Sequence, residues 1–201
     1  TLGMGYVAFV AGLSGKPKAL AQAQRWLSAA RALAAARSDL HGGYFADIVG
    51  GIIDVCRLRW REAIMQLEDG IAGLQANVVG AQWEIATAKA TSLHAYFYLG
   101  DANALRVRAA AYARDARRRG DLALETEARL YEAASAIAAD HVELLHDMVA
   151  AAVAPWQSQE FQYPHWIAVR FTTFGHLYSG TVDAGVVRAF DHAARRARKA
   201  G

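Results

Sequence analysis

Cysteine is almost missing from this 201-residue chain: Cys56 stands alone, so no internal disulfide can form. A reducing, cytoplasmic setting is the expectation that follows. The apolar neighbours Ile52, Ile53 and Val55 mark the thiol as a small buried side chain rather than a nucleophile. Proline is nearly as scarce, at three residues, which removes the strongest helix breaker. An excess of one charge is lacking too. The net charge is only +3, and Asp101, Asp121, Glu125, Glu127 and Glu132 are interspersed among the basic residues. A nucleic-acid footprint gathers positive charge on one face, so a nucleic-acid partner is disfavoured.

Long hydrophobic runs are absent as well. The apolar opening TLGMGYVAFVAGL covers 13 residues, short of the ~20 that a membrane span needs, and it lacks the basic region and small-residue cleavage site of a signal peptide. No membrane association is expected. The helical pattern is already under way at Thr1, without an initiator methionine, which suggests a fragment of a longer multidomain protein.

Catalytic motifs fail on spacing. GLSGKPK at Gly12 to Lys18 echoes a phosphate loop, but that loop needs four residues between its glycines and a Ser or Thr after the lysine. A turn between helices, with Pro17 near the first helical position, accounts for it better. In HVELLHD, His141 and His146 are five apart, about 140° around a helix, so they do not share a face as metal ligands would. No serine lies in a GxSxG elbow, and no HRD or DFG is present. The expectation is no catalytic residue, no metal and no cofactor.

What is present is helix-forming. Hydrophobic residues make up 54% of the chain, enough for a substantial core, and alanine recurs in almost every block of ten, which favours helix. Ile64, Leu67, Ile71 and Leu74 follow helical spacing, as do Leu93, Tyr96, Phe97 and Gly100. Breaks fall at Gly15, near Leu58, and at Gly100, Asp140 and Gly180, with spacings of 43, 42, 40 and 40 residues. A second series falls near Gly42 and Gly43, Gly80, Gly120, Gln159 and Gly201. Two helices per unit and about five units predict an all-α fold, an α-solenoid of antiparallel hairpins with repeats of ~40 residues, forming a single domain over residues 1–201.

The basic run in YARDARRRGD fits this frame. Arg117, Arg118 and Arg119 precede Gly120 in the predicted last turn of a helix, where cations complement the macrodipole and glycine suits the left-handed cap. Arg195, Arg196, Arg198 and Lys199 before Gly201 repeat the pattern. Helix capping is therefore favoured over phosphate binding. The five tryptophans, Trp26, Trp60, Trp83, Trp156 and Trp166, are read chiefly as packing between helices.

Leu99-Gly100-Asp101, the small residues Gly50 and Gly51, and Ala63 after Trp60 resemble tetratricopeptide-type repeats, with units longer than the family's ~34 residues and without its proline. Four phrases carry a more specific likeness: Arg59-Trp60-Arg61-Glu62-Ala63-Ile64, Ala81-Gln82-Trp83-Glu84-Ile85-Ala86-Thr87-Ala88, Tyr96-Phe97-Tyr98-Leu99-Gly100 and Arg118-Arg119-Gly120-Asp121-Leu122. Over residues 55–180 the chain is similar to the C-terminal helical-repeat region of large bacterial serine/threonine protein kinases of the myxobacterial kind. That resemblance implies a kinase domain, and an ATPase module with it, upstream in the parent protein, and it carries over no catalytic residue.

In tetratricopeptide-like arrays the first helix of each unit lines the inner face. Counting back from each turn places Thr87, His94 and Tyr98, then Glu127, then Arg170, Phe174 and Tyr178 on that face. The expected function is a non-catalytic protein-interaction or regulatory scaffold of a bacterial signalling protein, binding a protein or peptide partner, including a domain of the same parent chain. The alternative is an effector sensor holding a small ligand in a groove lined by His94, Tyr98, Arg170 and Tyr178, and a second alternative is a nucleic-acid-associated regulator repeat. The sequence fixes no oligomeric state.

Overall fold

The computed structural model describes residues 2–13, 16–156 and 160–200, with the side chains of residues 10–13 and 200 excepted. These residues form ten α-helices and two short 3-10 turns, with no strand among them. The expectation of an all-α chain is met. They divide into two compact units, Thr1–Gly100 and Asp101–Gly201.

The first unit holds α1 (Leu2–Leu13), α2 (Pro17–Arg37), α3 (Leu40–Cys56), α4 (Trp60–Asn77) and α5 (Gln82–Leu99). Pro17 opens α2, where a missing N–H costs nothing. Of the GLSGKPK stretch, Ser14 and Gly15 lie outside the described residues. α3 is central because its sequence is apolar nearly all round, and such a helix is stable only when surrounded. Phe45, Ala46, Val49 and Ile53 pack with Leu20, Ala23 and Leu27 of α2 and Ala8 of α1. Ile48 and Ile52 face the other way, into Leu67, Ile71 and Leu74 of α4 and Ile85 and Ala88 of α5. α3 and α4 approach closely through small residues: a Cβ on Gly51 would lie 2.6 Å from Leu67 Cγ, and one on Gly70 would lie 2.6 Å from Ile48 Cγ1.

A polar chain also ties this unit together. The buried Asp54 carboxylate accepts from Arg59 and, at 2.6 Å, from Gln66 Nε2. Gln66 Oε1 in turn accepts from Arg31 of α2 at 2.9 Å, and Arg31 also pairs with Asp47 at 3.1 Å. A buried carboxylate would be costly unpaired; here it is satisfied, and it links α3 to α2 and α4.

The second unit holds α6 (Ala102–Arg119), α7 (Leu122–Ala134), α8 (Val142–Val153), α9 (Tyr163–Ser179) and α10 (Ala184–Ala200), with 3-10 turns at Ser135–Ala139 and Ala154–Trp156. Its core is drawn from Leu105 and Ala109 of α6, Leu130 and Tyr131 of α7, Leu145 of α8 and Phe171 of α9. Tyr131 and Phe171 meet edge to face with centroids 5.2 Å apart, the arrangement aromatic rings favour. Trp156 Nε1 donates to Thr126 Oγ1 at 2.9 Å, so both buried polar groups are satisfied.

The turns repeat one device. Leu58, Gly80, Gly100, Gly120, Asp140 and Gly180 all take positive φ, between 60° and 89°, and Ser38 takes 51°. Left-handed residues thus recur about every twenty positions from Ser38 to Asp140 and again at Gly180; Ser38, Gly100, Gly120 and Gly180 cap the helix before them, whereas α4 ends at the extended Val78, two residues before Gly80. At Gly100 and Gly120 an aspartate follows, and Asp101 and Asp121 accept from Ala104 N and Leu124 N, each at 3.0 Å. One residue closes a helix and the next opens another. The break expected near Gly42 and Gly43 is corrected: both lie inside α3, and the turn is Ser38, followed by Asp39, which accepts from Gly42 N at 2.9 Å. The breaks expected at Gly15, Gln159 and Gly201 lie outside the described residues.

Candidate functional site

In the first unit, His94 and Tyr98 occupy adjacent turns of one face of α5, and Trp60 at the start of α4 joins them. Trp60 and Tyr98 are stacked, with centroids 5.2 Å apart and planes inclined by 17°. His94 lies 4.7 Å from Tyr98 and 6.2 Å from Trp60, and Phe97 meets Tyr98 edge-on at 5.2 Å. Trp60 and His94 are half-buried, while Tyr98 keeps 42% of its surface exposed. The result is an aromatic platform whose outer ring is held by the ones beneath it. Thr87 lies two turns earlier on α5, and its carbonyl accepts from Thr91 Oγ1 at 2.8 Å.

In the second unit, Arg170, Phe174 and Tyr178 are spaced four apart on α9 and share a face. The Arg170 guanidinium lies 6.0 Å from the Phe174 ring centre, within cation–π range, and Phe174 lies 6.3 Å from the buried Phe171. Tyr178, 55% exposed, bonds to Asp140 in the turn before α8, and that bond pushes its phenol pKa up. The structure therefore joins Arg170 to Phe174 and holds Tyr178 on a neighbouring turn. Glu127 sits one helical turn before Tyr131 on α7, partly buried. Burial first, and then the Asp121 carboxylate, push its carboxyl up to about 7.

Trp60 is the member of the platform that sequence reasoning left among the packing tryptophans. The only signal for it was the phrase containing Arg59-Trp60-Arg61, and its meeting with Tyr98 depends on how α4 lies against α5. His176 was likewise passed over. Its ring lies 4.7 Å from that of His146, and burial and then His176 depress the His146 pKa, against an opposing pull from Asp147. Among the described residues no group of three or more His, Cys, Asp or Glu side chains could hold a metal ion.

The arginine run separates into two parts. Arg118 and Arg119 both turn back to Asp115, Arg118 at 3.3 Å. Arg117 instead reaches across the turn to Glu125 of α7 at 2.9 Å. Gly120, at φ 72°, donates from its N–H to the carbonyls of Ala116 and Arg117 and ends the helix. Each of the three arginines thus has a carboxylate partner, with Asp115 shared between two of them. Among the described residues no helix is long and apolar enough to cross a membrane. A comparison of the chain with protein-family models and with curated proteins finds no match.

Proposed function

We propose that this chain is a non-catalytic interaction module, an α-solenoid of helical hairpins that presents the Trp60, His94 and Tyr98 platform to a protein or peptide partner. The observation that carries the proposal is the stacking of exposed Tyr98 on Trp60. A large amphipathic ring already fixed in place loses little conformational freedom on binding, which is the property of interface hot spots.

The solenoid reading draws support from two regularities. Left-handed residues recur about every twenty positions from Ser38 to Asp140, and odd-numbered helices touch within each unit, α1 with α3, α3 with α5 and α7 with α9. Every residue expected on the inner face, from Thr87 to Tyr178, belongs to α5, α7 or α9. The likeness to the repeat regions of bacterial kinases favours a place within a larger signalling protein.

The test is retention of partners from source cells on the immobilised chain, followed by affinity measurement for each retained protein. Tyr98→Ala is expected to weaken a true partner at least tenfold, while Val79→Ser, an exposed position outside the platform, leaves it unchanged. Equal affinity of the wild-type and Tyr98→Ala chains for every retained protein would overturn the reading.

A further inference from the structure

A second surface lies wholly in the second unit, between α6, α7 and α8, and no part of the aromatic platform enters it. It is a groove of about 330 Å3, at the small end of the ~300–1,000 Å3 typical of small-molecule sites. Its floor is apolar and built from Ala110, Ala113, Met148 and Ala151, and three cations line it, Arg114, Arg117 and Arg129. On α6 the four lining positions 110, 113, 114 and 117 fall at offsets that share one helical face, so two alanines and two arginines face the groove together.

The charges within the groove are unequally satisfied. Glu125 Oε1 takes Arg117 Nε at 2.9 Å and lies 3.1 Å from Arg129 Nε. The Arg129 N–H is not aimed at that oxygen and, although buried, makes no hydrogen bond among the described residues. One carboxylate thus holds two guanidiniums in position while leaving their remaining N–H groups free to donate elsewhere. Arg114 is exposed and has no hydrogen-bond or ion-pair partner among the described residues. Glu132 is the single carboxylate in the lining.

We propose that this groove binds a small organic anion, one oxyanion group on a compact apolar body. The oxyanion is held by Arg114 together with the prepositioned Arg117 and Arg129, whose planar forks suit carboxylate and phosphate oxygens alike, and the apolar body lies on the alanine and methionine floor. Glu132 and Glu125 repel further negative charge, which selects a ligand with a single oxyanion group over a polyanion such as nucleic acid. The lining comes from α6, α7 and α8, so an occupant would bridge these helices and stabilise their packing.

The experiment titrates the full chain with phenylacetate, phenyl phosphate, neutral 2-phenylethanol, inorganic phosphate and a single-stranded oligonucleotide, following amide resonances by NMR. Phenylacetate or phenyl phosphate is expected to bind with perturbations centred on Arg114, Met148 and Ala151, at least fivefold more tightly than 2-phenylethanol or inorganic phosphate. The tighter of the two identifies the oxyanion. Arg114→Gln, at an exposed and unpaired position, is expected to keep the fold and to weaken binding at least fivefold. Equal binding of the neutral compound, equal binding of inorganic phosphate, tighter binding of the oligonucleotide at the same residues, an unchanged affinity in Arg114→Gln, or no binding of either aryl anion would each overturn the proposal. None of these results bears on the Tyr98 platform, whose test uses another unit of the chain.

Discussion

Gly51 of α3 faces Leu67 of α4 so closely that a Cβ on the glycine would lie 2.6 Å from Leu67 Cγ and 3.0 Å from the carbonyl of Ala63. No rotamer change at Leu67 relieves the contact with the carbonyl, because backbone cannot swing aside. Gly51→Ala is therefore expected to push α3 away from α4 and to cost about 1–3 kcal/mol by overpacking. Gly43→Ala is the control, since nothing lies within 4 Å of its added methyl; it is expected to be neutral or slightly stabilising through helix propensity. Urea denaturation of both variants measures the difference.

Glu127 makes stability depend on pH in an unusual direction. Its carboxyl is pushed from an ordinary 4.5 up to about 7 by burial and then by Asp121, so the folded chain holds the proton that the unfolded chain releases. Its stabilising contribution is complete below pH 4.5 and is lost as the pH rises through about 7. The penalty above that range is up to roughly 3 kcal/mol. Glu127→Gln is expected to raise the urea midpoint at pH 8 and to leave it nearly unchanged at pH 4.5, and a shift of equal size at both would show that the carboxyl is not desolvated.

Leu58 occupies the left-handed region at φ 60° while 70% of its surface is exposed. It pays the steric cost of that conformation with little burial in return, and the cost is about 1–2 kcal/mol. Leu58→Gly is expected to stabilise the chain by about 1 kcal/mol, read as a higher thermal midpoint. The converse change, Gly100→Ala at φ 79°, is expected to destabilise it by a similar amount.

Thr126→Val removes the acceptor of the Trp156 indole N–H while keeping the volume. The stranded donor is buried, so the expected cost is about 1–3 kcal/mol. Thr126→Ser retains the hydroxyl and is expected to lose less; chemical denaturation of the pair distinguishes a lost hydrogen bond from lost methyl packing.

The turns were legible where one residue type does the work. Gly80, Gly100, Gly120 and Gly180 were read from glycine alone, and all four are left-handed. Leu58 needed the period, because its side chain argues against the conformation it adopts. Ser38 was missed because the paired Gly42 and Gly43 drew the break four residues too far along. Two glycines in a helix lose only propensity, and the apolar face of α3 outweighs that loss once it is buried on both sides. Asp39 ahead of them was the better signal, since its side chain caps the helix they sit in.

The sites were legible only by halves. His94 with Tyr98, and Arg170 with Phe174, could be paired from their spacing, because residues four apart share a helical face. Trp60 could not be added, since its contact with Tyr98 is made between helices and depends on their crossing. The groove is harder still. Arg114 and Arg117 announce themselves on α6, but Arg129, Met148 and Ala151 come from two other helices and carry no common pattern in the sequence.

The recurring turn has a consequence for how each unit is made. A helix of about eighteen residues, reversed by two or three, meets its packing partner within some forty residues of chain, so closing each contact sacrifices little chain entropy and low contact order predicts rapid assembly. Within each unit a nascent chain leaving the ribosome can dock a new helix on the one just completed, long before synthesis ends.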